Sequence, residues 1–73
     1  MTNERWDAGH MGCGELVLQL RGRLADLAPG ALFELVAHDQ GAPEDLPSWC
    51  RLTGHELVSA EHPTYLIKRR MEN

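Results

Sequence analysis

Cysteine is scarce in this 73-residue chain, with Cys13 and Cys50 the only two. Without a secretory signal, one possible pair gives little basis for a disulfide framework, so both are read as free thiols. They do not form a Cys-x-x-Cys motif, which leaves no basis for a dithiol mechanism. Long apolar runs are missing too. The opening "MTNERWDAG" has no apolar leader core, and no stretch reaches the roughly 18 residues that a membrane span needs. The expected setting is therefore the cytoplasm, with no membrane partner. Positive charge is in short supply, seven basic residues against eleven acidic ones, for a net charge of −4. That balance works against attraction to nucleic-acid phosphates, and aromatic clusters for base stacking are lacking, so direct nucleic-acid binding is not expected. The one basic cluster, Lys68 to Arg70, reads as a solvated strand end.

Neither repeats nor low-complexity tracts nor linkers interrupt the chain, and residues 1–73 are expected to form a single domain. From Gly14 onward, Leu16, Leu20, Leu24 and Leu27, with Val17 beside them, follow the spacing of one helical face. Pro29 and Gly30 are expected to end that helix. Ala31 to His38 reads as a largely buried strand, and "ERWDA" upstream as a short one. A polar turn beginning at Asp39 leads into a second helix from about Ala42 to Thr53, capped by Asp39 or a neighbour and stopped by Gly54. Pro47 lies inside it and predicts an irregular first half. Leu57 and Val58, then Tyr65 to Ile67, flank "EHPT" as two strands with a tight connection. The order βαβαββ predicts an α/β (α+β) fold, a two-layer α/β sandwich with both helices on one face of a four-stranded mixed sheet.

Among residues that carry chemistry, Cys13 is the first to weigh. Gly12 and Gly14 flank it and give no side-chain cover, and it opens the first helix. Unpaired amide hydrogens and about half a positive charge at a helix N-terminus favour the thiolate. The plainer reading is a small residue tolerated at a helix start. Cys50, beside Trp49 on the second helix, reads as a packing residue. His10, His38, His55 and His62 fall on separate elements without ligand spacing, so no metal or other cofactor is expected. Glu44 and Asp45 suit the first turn of the second helix rather than acid–base catalysis. "GHMGCG" lacks the lysine and Ser/Thr of a phosphate-binding loop.

Asp7, a glycine-containing turn, one cysteine opening helix 1, "LAPG" closing it, a strand ending in "HD", then "DLPSWCRLTGHELV" and "YLIKRR" stand in one register. From about Trp6 to Arg70 the chain resembles the TusA/SirA family of small sulfur carriers. Asp45, Leu46, Pro47, Trp49, Cys50, Gly54, His55, Glu56 and Leu57 carry the more specific half of that likeness. The resemblance implies a βαβαββ fold and a cysteine that holds sulfane sulfur as a persulfide, a role that falls on Cys13. Implied partners are a protein donor of the cysteine desulfurase or rhodanese type and a protein acceptor. The family's Cys-Pro-x-Pro is here "CGEL", with Gly14 and Leu16 in place of the prolines, and His10 and Gly12 stand where many members have a glycine and a basic residue. His10, Gly12, Gly14, Glu15 and Arg21 are the candidate docking residues, with Arg23 and Arg51 further along the helix faces. A fold-retaining interaction or regulatory module without sulfur transfer is the alternative.

Overall fold

In the computed structural model, residues 4–71 are described. Residues 1–3, part of the stretch read for a leader, lie outside them. The chain runs β1 (Glu4–Asp7), α1 (Cys13–Ala25), β2 (Leu32–Val36), α2 (Ala42–Thr53), β3 (Glu56–Glu61) and β4 (Thr64–Lys68). The strands form one mixed sheet in the order β1-β2-β4-β3. β1 pairs parallel with β2 across the α1 crossover, whereas β2–β4 and β3–β4 are antiparallel. This is the expected α+β sandwich.

Side-chain periodicity places the core. Residues paired across a sheet share a face, so Phe33 with Ile67 and Leu35 with Tyr65 form two buried rows. Leu16, Leu20 and Leu24 of α1 and Ala42, Leu46 and Cys50 of α2, each four residues apart, join those rows in one cluster. Both helices thus cover the same face, and Cys50, 2% exposed, is the packing residue its neighbours implied. The opposite sheet face holds Arg5, Glu34 and Leu66 in register. Its Arg5–Glu34 ion pair, 3.5 Å long and largely in solvent, contributes little to stability. Edge strand β3 has glutamates at both ends and a register shift between Leu57 and Ser59, features that discourage pairing with another chain.

Two local expectations need correction and a third is narrowed. First, α1 ends at Ala25 rather than running to Pro29, because Asp26 N–H and Leu27 N–H bond the carbonyls of Arg23 and Leu24 and tighten the last turn. Pro29 and Gly30, the latter at φ 83°, instead build the turn into β2, in which Ala31 N–H donates to Ala28 O. Second, Pro47 leaves α2 unbroken. Proline there removes one amide donor, and the entry to the helix is tightened by the Glu44 N–H bond to Gly41 O. Third, of the caps expected for α2, Asp39 or a neighbour, it is the neighbour that takes the position. The N-cap is Gly41, which has no side-chain cap bond, and the Asp39 carboxylate accepts the Gly41 N–H in a local Asx-type turn. Gly54, at φ 89°, closes α2 as expected. No helix among the described residues is long and apolar enough to cross a membrane.

Candidate functional site

Two loops at one end of the sheet meet at Cys13. After β1 the chain turns at Gly9, whose φ of 61° suits glycine and whose N–H donates to Asp7 Oδ1. After β2 it passes through Ala37 to Gly41. Ala8 N–H donates to Val36 O and His38 N–H to Gly9 O, at 2.8 and 2.9 Å, so the two loops run side by side. Gly12 is the N-cap of α1 in extended conformation, and Cys13 is the first helical residue. Half-buried Cys13 donates its Sγ–H to Asp39 Oδ2 at 3.1 Å. The same oxygen accepts Gly41 N–H at 3.0 Å. A Cβ at Gly41 would lie 3.1 Å from both Asp39 Oδ2 and Asp45 Oδ2, so a glycine leaves room for the two carboxylates to converge.

This surrounding reverses the electrostatic expectation for the thiol. The Cys13 pKa is pushed up to about 12 from an ordinary 9.0, first by burial and then by the hydrogen bonds and negative charges of Asp39 and Asp45. Half a unit of charge at a helix end, roughly, is outweighed by lost solvation and two full carboxylates. On the sheet, Tyr65 of β4 is the titratable group that Cys13 acts on. It is 1% exposed, its hydroxyl lies 2.6 Å from His62 Nδ1, and burial followed by the neighbouring Cys13 raises its own pKa. Cys50 rises to about 11 through burial alone.

The other sequence-derived candidates separate. Gly12 and Gly14 share the first turn with Cys13, and open space surrounds both. Glu15 is exposed and accepts a bond from Gln19 Nε2 one turn on. His10, on the β1–α1 loop, is exposed with its ring 5.1 Å from that of His38. Arg21 is two turns along α1, about 12 Å by helical rise, where it lines a cleft of about 450 Å³ with Leu18, Trp49, His55 and Arg69. Arg23 stacks over Trp6, 4.1 Å from the ring centroid, and Arg51 donates to Ser48 Oγ. Asp39, Asp45 and Tyr65 were missed as neighbours of the thiol. An aspartate directly after a buried strand was the available signal, but local chemistry favoured a capping role. Among the described residues, no group of three or more His, Cys, Asp or Glu is placed to hold a metal ion.

A two-layer α+β domain that sets a half-buried thiol at the head of its first helix defines a class of small thiol-bearing sandwich proteins. Residues 4–69 match the family model described as Sulfurtransferase TusA, and the chain belongs to that family. It is 40% identical over 62 residues to the sulfur carrier protein TusA of Pseudomonas paraeruginosa, covering 82% of this chain and 78% of that protein. The sulfur carrier protein TusA of Pseudomonas syringae pv. tomato is 39% identical over 82% of this chain and 74% of its own. For that of Pseudomonas putida the identity is 36%, over 82% and 78%.

Proposed function

We propose that the chain is a cytoplasmic sulfur-relay protein in which Cys13 carries sulfane sulfur as a persulfide between two protein partners. Family membership supports the relay role, and the observation that carries the choice of residue is position. Cys13 is half-buried at the head of α1, beside two glycines in open space, whereas Cys50 is closed into the core. In the loading step the Cys13 sulfur attacks the terminal sulfur of a donor persulfide, held by a cysteine desulfurase or rhodanese-type protein. A new S–S bond forms at Cys13 while the donor's S–S bond breaks. The donor cysteine leaves as thiolate and takes up the proton that Cys13 gives up, so one thiol and one persulfide exchange places without net oxidation. Delivery to an acceptor thiol repeats the exchange in the opposite sense. Gly12, Gly14 and Glu15 would meet the partner at the mouth of the site, with His10 on the adjoining loop and Arg21 farther along α1.

The test is to incubate reduced protein with a cysteine desulfurase and cysteine, then locate added sulfur by intact and peptide mass spectrometry. One sulfur atom on Cys13, none on Cys50, and none in Cys13→Ala is the expected result. An alkylatable Cys13 that takes no sulfur would assign the chain to the alternative, an interaction module that keeps the fold without the transfer.

A further inference from the structure

The groups around Cys13 oppose the state in which a sulfur carrier reacts. Attack on a persulfide needs the thiolate, yet Sγ–H is donated to Asp39 Oδ2 at 3.1 Å. Asp39 is held there by Gly41 N–H, and Asp45 from α2 converges on it, with both Oδ2 atoms 3.1 Å from where a Gly41 Cβ would lie. The charged groups that act on the sulfur are Asp39 from the β2–α2 loop and Asp45 from α2, and Cys13 in turn acts on the Tyr65 phenol of β4. Burial and both carboxylates push the Cys13 proton the same way. Among the described residues neither Asp39 nor Asp45 is in an ion pair. In this bond the Cys13 Sγ–H is the donor and the Asp39 carboxylate oxygen the acceptor.

We propose that Asp39 and Asp45 form an electrostatic latch that holds Cys13 as the thiol in the free protein, and that a partner opens it by placing a lysine or arginine side chain against the two carboxylates. The surface around Cys13 therefore fits a cation-bearing active-site loop. The purpose of the latch rests on Cys13 being the carrier thiol. Its chemistry does not, since it is a property of the free chain: the stored sulfur site stays inert toward oxidants and electrophiles until a complementary charge arrives.

Reagents that carry their own charge test both halves. The full reduced chain is treated with trimethylammonioethyl or sulfonatoethyl methanethiosulfonate at low salt, and Cys13 modification is followed by peptide mass spectrometry. In each reaction the thiolate forms a mixed disulfide and methanesulfinate leaves. The cationic reagent is expected to react at least about tenfold faster than the anionic one. In Asp39→Asn with Asp45→Asn that preference falls to within about threefold. The pH midpoint for alkylation of Cys13 by neutral iodoacetamide falls by at least about one unit. Asparagine still accepts the Gly41 N–H, and Asp45→Asn alone, at an exposed position, repeats the test should the double variant fail to fold. An unchanged charge preference overturns the latch, and so does a midpoint that stays or rises, the latter making Asp39 an aid to deprotonation. Sulfur loading is scored separately. A variant with a freed Cys13 that takes no sulfur from the desulfurase counts against the carrier reading and leaves the latch standing.

Discussion

Alkaline pH should expose how much of this fold depends on keeping a core thiol neutral. Cys50 is 2% exposed, packs in the cluster between α2 and the sheet, and has its pKa pushed up to about 11 from 9.0 by burial. The unfolded chain gives up this proton first, so above pH 9 the native state binds more protons than the unfolded one and stability falls as pH rises. The contribution is fully present below pH 9 and is lost through pH 11. A shift of one unit corresponds to about 1.4 kcal/mol, so the loss is about 1.4 kcal/mol near pH 10 and approaches about 3 kcal/mol beyond pH 11. A core of this size leaves a net stability of only about 3–5 kcal/mol, so the effect is large. Cys50→Ala sharpens the test. At neutral pH the variant loses the packing of one sulfur, about 1 kcal/mol by analogy with one buried methylene and its cavity. It also loses the alkaline liability. Cys13 and Tyr65 are raised in both proteins and cancel in the difference. Urea unfolding of reduced wild type and variant from pH 7 to 11 should therefore give stability curves that cross near pH 10. A constant difference between the two across that range would refute the reasoning.

Gly22 lies inside α1, exposed, and a Cβ there meets nothing within 4 Å. Gly22→Ala should raise stability by about 0.5–1 kcal/mol, read as a melting temperature higher by roughly 4–8 °C per kcal/mol. Gly54→Ala should act in the opposite direction. Its Cβ would meet only Arg70 Cδ at an ordinary 3.5 Å, so the left-handed backbone at φ 89° is what penalises it, by about 1 kcal/mol in chemical denaturation.

Helix α1 was legible because Leu16, Leu20 and Leu24 repeat with the helical period, and α2 from the polar turn at Asp39 before it and the stopping Gly54 after it, whereas its buried row of Ala42, Leu46 and Cys50 emerged only in the fold. The strands were legible from short apolar runs between turn residues. The strand predicted from Ala31 to His38 is shorter in the sheet, but Arg69 N–H still bonds Ala31 O and Ala37 N–H bonds Pro63 O beyond its ends. Element boundaries were harder to read where two local stop signals compete, as after Ala25, since the choice depends on which carbonyls the turn can satisfy. Cys13 was legible as a candidate from its glycine neighbours and its place before a helical stripe.

By itself the sequence determined the elements, their order, the buried face of α1 and the thiol at its head, all of which follow from the spacing of nearby residues. Tertiary structure alone decided that β2 and β4 are central and that the Cys13 thiol lies against the Asp39 carboxylate. Asp39 is 26 residues away in the chain and 3.1 Å away in space. Desolvation and Coulomb forces depend on that second distance, which packing of the two loops and α2 against the sheet sets.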